Sequence, residues 1–212
     1  MSFISTKERI LRKVADALVS PMENPYPEVD LDEEVLSLVP EYEDVRFAEN
    51  FINLGGKFVY CTNAEEAILN FRIFGQKEEW TGRIFCGDND IAFFLQKAGL
   101  KFGQTEKDAI VKNIAIFPVH ALVVDTGSIV YPVRGYARYA VANAQTIVFV
   151  ATKDQLVPEL KDAYKIMKSK AEILTAITSV FSGLSKIKDV DGNEFSGFGA
   201  NEVYLFLIDM EE

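Results

Sequence analysis

The chain has 212 residues, of which 49% are hydrophobic, 12% aromatic and 25% charged, and its formal net charge is −10. This composition is typical of a globular domain with a sizeable core, and it excludes a disordered chain. The excess of acidic side chains disfavours nucleic acid as a partner, because phosphate contacts require clustered Lys and Arg.

The first residues and the cysteines predict a cytoplasmic protein. The opening segment, MSFISTKERILRKV, is charged within its first seven positions, and no later segment approaches the ~18 apolar residues that cross a bilayer. Cys61 and Cys86 are the two cysteines, and they do not form a CxxC motif. We therefore expect two buried, reduced thiols.

Residues 1–44 are predicted to form an N-terminal helix followed by an acidic surface segment. Ser5 to Glu8 has the spacing of a capping box, and apolar residues then recur on one helical face as far as Leu18. Three prolines between positions 21 and 27 end this helix. The segment 28–45, EVDLDEEVLSLVPEYEDV, is interpreted as a solvated surface or as an acidic face that docks on another protein.

From residue 45 to residue 212 the pattern predicts one α/β domain. Short apolar strands alternate with amphipathic helices, which is typical of a mostly parallel sheet covered by helices on both faces. A long helix is expected from about Asp154 to Ala171. The predicted strands are 57–61, 82–87, 114–119, 128–133, 146–151 and 202–209.

Several common chemistries lack their motifs. His120 is the only histidine, and no cluster of Cys, His or carboxylates around it has metal-ligand spacing. The sequence has no GxSxG elbow, no P-loop lysine motif and no GxGxxG after the first strand. We therefore predict no metal site, assign no cofactor and interpret His120 as a structural residue.

Two polar features in the middle of the chain are candidates for ligand binding. In VVDTGSIV, the residues Asp125, Thr126, Gly127 and Ser128 separate two apolar runs, and such a turn lets a ligand approach backbone N–H groups. The alternative is a tight hairpin in which Asp125 satisfies local backbone donors. Arg134 and Arg138 follow; they would clamp a carboxylate or phosphate, or pair with surface carboxylates.

A third polar feature lies near the C-terminus. Ser182 to Lys186 follows the apolar run TAITSVF and precedes KIKDV, which is interpreted as a short helical turn. A glycine and serines before a helix start would present unpaired N–H groups to an anion, and Lys186 adds a cation. Short loops of this composition are also common in proteins that bind nothing there.

Together these segments resemble the LUD-domain family, the family of lactate-utilisation protein C, over nearly the whole chain. Members begin with a helix like ERILRKVADAL and continue with a segment like FAENFINLGGKFVYCTNAEEAI. The family motif Ala-Glu-Thr-Gly-Thr/Ser is matched by residues 124–128, and Ser-Gly-Pro-Ser-Lys/Arg-Thr-Ala-Asp-Ile is matched by residues 182–190. The segment ARYAVANAQTIVFVATKDQLV resembles the family's basic segment and strand.

The chain departs from the family pattern at several motif positions. Asp125 replaces the usual glutamate, Leu184 the proline, Ile187 the threonine and Lys188 the alanine. The closing loop, residues 197–201, lacks the family's histidine and proline. Loss of a hydroxyl at Ile187 removes one donor, and Lys188 supplies charge without the same geometry. The chain is therefore similar to a divergent member of the family.

The resemblance implies a three-layer α/β fold similar to that of sugar isomerases and CoA transferases. It also implies an association with cytoplasmic lactate oxidation, in which iron–sulfur proteins take part. Because fold does not fix function, three readings stay open. They are a subunit that binds a small anion, a transferase or isomerase that uses Asp125 as base or nucleophile, and a docking subunit for iron–sulfur partners.

The leading hypothesis places a carboxylate or phosphate between two loops. The main-chain groups of Thr126, Gly127 and Ser128 would form one side of this site. Arg138 would orient the anion and Asp189 would hold the second loop. The donors in that second loop would be Ser182, Gly183, Ser185 and Lys186.

Overall fold

The computed structural model describes residues 42–169, 177–184, 186–188, 194–196 and 200–209. The predicted N-terminal helix and nearly all of the acidic segment lie outside the described residues, as do Ser185 and Asp189. None of the described helices combines the length and the apolar run that crossing a membrane requires.

Six parallel strands form the central sheet, in the order β1-β12-β7-β4-β2-β3. Four of the strands predicted from apolar runs are confirmed almost to the residue, and the predicted 82–87 strand is shorter, at three residues. The β3 strand was not predicted. The bounds are β1 Lys57–Cys61, β2 Ile84–Cys86, β3 Phe102–Gly103, β4 Ile114–Pro118, β7 Thr146–Thr152 and β12 Glu202–Ile208.

Polar side chains cap several of the described helices. Asn63 caps one of them, because its side chain accepts a hydrogen bond from Glu66 N at 2.9 Å. Asp88 caps the next helix by accepting from Asp90 N and Ile91 N. The helices are α1 Glu43–Asn53, α2 Ala64–Lys77, α3 Asn89–Ala98, α4 Glu106–Val111, α5 Ala137–Asn143 and α6 Leu160–Ser169.

The central sheet is covered on both faces, which confirms the predicted α/β layering. Alternate residues of each strand point to opposite faces. Ile116 of β4 thus packs in a core with Phe71 of α2 and Leu95 of α3. The adjacent Phe117 packs in a second core with Phe51 of α1. The second core also contains residues of a smaller sheet, so the sheet is the middle layer of three.

A smaller sheet contains the strand predicted at residues 128–133, whose bounds are confirmed. These residues form β6, Ser128–Val133, which does not join the parallel sheet. It pairs antiparallel with β5, Ala121–Val123, and β9, Ile177–Phe181, while β8, Leu156–Val157, completes the order β8-β5-β6-β9. An apolar run predicts a strand, but it does not say which sheet the strand joins.

Two predicted helical segments are corrected. The helix expected from about Asp154 to Ala171 is confirmed as α6, but it begins later than predicted, at Leu160, because Pro158 cannot lie in a helix interior without loss of a hydrogen bond. In the KIKDV segment, Lys186–Lys188 forms strand β10 rather than a helical turn, and it pairs antiparallel with β11, Glu194–Ser196. The last two residues of that segment lie outside the described residues. The loop before it therefore does not precede a helix N-terminus.

Candidate functional site

The predicted Asp125–Ser128 turn packs on helix α1. The Asn50 side chain donates to the carbonyls of Val124 and Asp125, with N–O distances of 2.9 Å and 3.2 Å. The Asp125 carboxylate forms a half-exposed ion pair with Arg46 at 3.2 Å. Asp125, the predicted catalytic residue, thus contacts a helix of its own chain.

Gly127 fits this turn for a steric reason. Its φ is +67°, and a Cβ atom added there would lie 2.5 Å from the backbone of Asn50 and Phe51. Its N–H donates to Val123 O at 2.9 Å. Glycine is therefore required here by close packing against α1, and its amide is already used within the turn.

The two hydroxyl residues of the turn contact each other. Thr126 Oγ1 and Ser128 Oγ lie 2.9 Å apart, at hydrogen-bonding distance, and Ser128 is buried. These contacts are those of the tight hairpin that the sequence left open as an alternative.

The Ser182–Leu184 loop leaves the smaller sheet at the same end as this turn, because Ile129 and Phe181 form the terminal pair of the β6–β9 ladder. The loop also packs on the C-terminal end of α1. Leu184 N donates to Leu54 O at 2.9 Å. A Cβ atom on Gly183 would lie 3.1 Å from the Leu54 side chain. The two predicted loops therefore share one neighbour, helix α1.

Arg138 belongs to neither loop, and its described contacts are with Tyr139. It is exposed on α5, where its guanidinium lies 5.0 Å from the centre of the Tyr139 ring and donates to the Tyr139 hydroxyl at 3.1 Å. Lys186 belongs to β10.

A cleft of about 470 Å³ opens instead at the carboxyl ends of β2 and β4. The connection that leaves β2 leads to β3 on one side, and the one that leaves β4 leads to β7 on the other. Ligands of open α/β sheets bind where neighbouring strands diverge in this way. Of the described residues that line the cleft, none belongs to the set of the leading hypothesis, but Arg134, the other candidate arginine, is among them. They include Phe85, Gly87, Asp88, Ile116, Phe117 and Pro118.

The polar groups of the cleft come from three segments. His120 follows β4, and its side chain is half-buried. Its backbone N–H donates to Val130 O at 2.7 Å, and this hydrogen bond holds the backbone of His120 in place. Arg134 follows β6 and is exposed; no described residue pairs with its guanidinium. Asp88 follows β2, but its carboxylate is engaged as the cap of α3. The cleft thus combines an available cation with an ionisable imidazole.

The same edge of the sheet carries a second polar cluster above β1, β12 and β7. Lys153 Nζ lies 3.3 Å from both Asp44 Oδ2 and Asp209 Oδ2. Tyr60 donates its hydroxyl to Asp209. Asp44 and Asp209 are only 2% and 6% exposed, so their charges are held by groups of the protein itself.

The acidic neighbours of Lys153 raise its pKa by more than burial lowers it. Burial lowers the pKa of Lys153, but the negative charges of Asp44 and Asp209 raise it more, so the pKa lies above its ordinary value. This cluster joins the start of α1 to the end of β12 and resembles a structural ion-pair network. In the part of the chain that the structure describes, no group of three or more His, Cys, Asp or Glu side chains is placed to hold a metal.

These observations define an α/β protein with a central parallel sheet and an open cleft at its carboxyl edge. A DUF162 family protein from Deinococcus radiodurans has a similar structure, with a TM-score of 0.57 and 11% identity over 80% of this chain and 99% of that chain. DUF162 is the LUD-domain family, so this likeness agrees with the fold that the sequence resemblance implies. At 11% identity it shows the fold alone.

Ribose 5-phosphate isomerase A from Methanocaldococcus jannaschii is also similar, with 14% identity over 73% of this chain and 78% of that chain. The TM-score of that likeness is 0.30. No family model and no curated protein matches the sequence.

The sequence left the role of Arg134 open and interpreted His120 as structural, and both residues line the cleft. The sequence features that could have predicted this cleft are Gly87 and Asp88, which follow one apolar strand, and His120, which follows another. Tyr136, which also lines the cleft, carried no signal in the sequence.

Proposed function

We propose that this protein is a divergent LUD-domain protein that binds an organic anion in the cleft above β2 and β4. The observation that carries the proposal is the exposed Arg134 guanidinium beside a cavity at the point where the strand connections diverge. Arginine binds carboxylates and phosphates through two parallel hydrogen bonds. In a chain with a net charge of −10, an arginine whose guanidinium pairs with no described residue is well suited to an external anion.

His120 gives the cleft a second group that can hold an anion. A neutral imidazole donates one hydrogen bond, and a protonated one donates two and carries a positive charge. Asp88 lines the same cleft, but its carboxylate accepts two backbone hydrogen bonds from α3. We therefore expect Arg134 to make the main contact and His120 to support it.

The resemblance suggests which anions to examine first. If the chain works beside the iron–sulfur proteins of lactate oxidation, lactate and pyruvate are natural probes, with phosphate as a second class of anion. Docking on such partners through the acidic segment 28–45 is a separate proposal, which depends on the resemblance and not on the cleft. The alternative of an enzyme that uses Asp125 finds no support in the cleft, since Asp125 pairs with Arg46 outside it.

The test compares two arginines that are four residues apart. Isothermal titration calorimetry with pyruvate, lactate and phosphate is expected to show binding by the unaltered protein. Arg134→Gln should abolish or strongly weaken that binding, because it removes the cation of the cleft. Arg138→Gln is the matched control and should bind normally, since Arg138 lies on the Tyr139 ring. Loss of binding in Arg138→Gln alone would contradict the proposal and favour the site predicted from the sequence.

Thermal denaturation gives an independent readout of the same binding. A ligand that binds the folded state alone stabilises it by about 2.7 kcal/mol at a hundredfold excess over its dissociation constant. We expect this shift in the unaltered protein and in Arg138→Gln, but not in Arg134→Gln.

A further inference from the structure

The cleft contains an exposed aromatic ring that is not needed to bind an anion. Tyr136 lines the cleft, and 42% of its surface is exposed. Its hydroxyl donates to Gln104 O at 3.0 Å. Its ring lies edge-on to Phe85, with the ring centres 6.4 Å apart and the planes at 72°. The ring is therefore held at both its hydroxyl and its edge although it faces solvent.

The cation and the ring belong to one tight turn. Ala137 N donates to Arg134 O at 3.0 Å, which closes the turn over residues 134–137. Gly135, between the two side chains, has a φ of +53°, and the place where a Cβ atom would stand has no neighbour within 4 Å. The turn thus presents a guanidinium and an aromatic ring to the same open space.

The size of the cleft exceeds that of a three-carbon acid. Pyruvate has six non-hydrogen atoms, and at roughly 30 Å³ each, the volume of a water molecule in the liquid, they would fill less than half of the cavity. A volume of about 470 Å³ lies within the range of sites for larger organic molecules. Part of the cleft lining is apolar and includes Phe117, Pro118 and Pro132. It would not be covered by a ligand that is only a carboxylate with two further carbons.

We infer that the ligand is a planar aromatic ring that carries one carboxylate or phosphate group. The anionic group contacts Arg134 and His120, and the ring packs on Tyr136 and on the apolar part of the cleft lining. This inference rests on the proposed function, because it adds a second part to the ligand of the same cleft. A ring already held in place loses little conformational freedom when a flat ligand stacks on it, and this favours binding.

The test uses two pairs of probes that differ by one phenyl group: pyruvate with phenylpyruvate, and phosphate with phenyl phosphate. Isothermal titration calorimetry should show that the phenyl group tightens binding about tenfold in each pair, the effect expected of one well-placed aromatic contact. In Tyr136→Ala this gain should fall below about threefold, while pyruvate and phosphate bind as before. Retained binding of the smaller anions also shows that the variant is folded.

Tyr164→Ala is the matched control, since Tyr164 is an equally exposed tyrosine on α6 and does not line the cleft. It should keep the full phenyl gain. Equal binding within each pair, or a phenyl gain that survives Tyr136→Ala, would overturn the inference and leave the anion site intact. Failure of all four probes to bind the unaltered protein would overturn both the inference and the proposed function.

Discussion

The two halves of the carboxyl edge of the central sheet use charged side chains in opposite ways. Above β1, β12 and β7, Lys153 lies between two buried carboxylates, Asp44 and Asp209. Above β4 and β2, Arg134 is exposed beside a cleft, and no described residue pairs with its guanidinium. A charge that is satisfied within the chain stabilises the fold, whereas a charge left at an open cavity is available to a ligand. Position at the sheet edge alone does not make a binding site.

The largest effect is expected from disrupting the Lys153 cluster above β1, β12 and β7. Lys153→Met removes the cation that lies against the buried carboxylates of Asp44 and Asp209. We expect a loss of about 3 kcal/mol in the free energy of unfolding, because removal of one partner from a buried ion pair is strongly destabilising. Urea denaturation monitored by circular dichroism measures this loss. Lys161→Met is the control, since the Lys161–Glu159 pair is exposed, and it should leave the denaturation midpoint unchanged. A Lys153→Met variant as stable as the unaltered protein would show that the cluster is not structural.

The pH dependence of the same variant sharpens this prediction. The pKa of Lys153 is raised in the folded state, so the ion pairs contribute fully below the ordinary lysine value of 10.5. Their contribution is lost only as the pH rises through the folded pKa. The stability difference between the unaltered protein and Lys153→Met should therefore stay constant from pH 7 to pH 9 and shrink above pH 10.5.

A smaller effect is expected where the predicted loop packs on α1. Gly127→Ala combines a left-handed backbone with a Cβ atom placed against the backbone of Asn50, and we expect it to cost about 2 kcal/mol or more. Gly82→Ala is the matched control: its φ is also positive, at +79°, but a Cβ atom there has open space. It should cost about 1 kcal/mol, from backbone strain alone.

The same pair of variants separates packing from binding. If Gly127 serves to pack on α1, Gly127→Ala should lower the unfolding midpoint and leave anion affinity in the cleft unchanged at temperatures where the protein is folded. An alanine there that removed anion binding at unchanged stability would instead support the ligand-binding turn predicted from the sequence.

The sheet was largely predictable because its signal is local. The apolar runs at β4, β7 and β12 are largely buried on both faces, and such continuous runs indicate parallel strands. The run at β1, an edge strand, is only partly buried. The smaller sheet was not predicted. Residues 128–133 have the same apolar pattern as the strands of the central sheet. Their pairing with β5 and β9 could not be predicted, because it depends on residues that are distant in the sequence.

The cleft was harder to predict because it forms from distant segments. Phe85 and Arg134 are 49 positions apart in the sequence, and only the order of the strands brings their segments together. The Asp125–Ser128 turn illustrates the opposite error. Small hydroxyl residues and a glycine are typical of a turn that a ligand approaches closely, and equally of a turn that packs closely against a helix. Here the space beside Gly127 is taken by α1.

The most direct test locates a bound anion by NMR. Titration of ¹⁵N-labelled protein with phenylpyruvate should shift the backbone amide signals of Gly87 and Gly135, which line the cleft. The amides of residues 126–128 and 182–184 should not move, because they pack against α1. Shifts confined to those two loops, with the cleft amides unchanged, would contradict the placement of the binding site at the ends of β2 and β4.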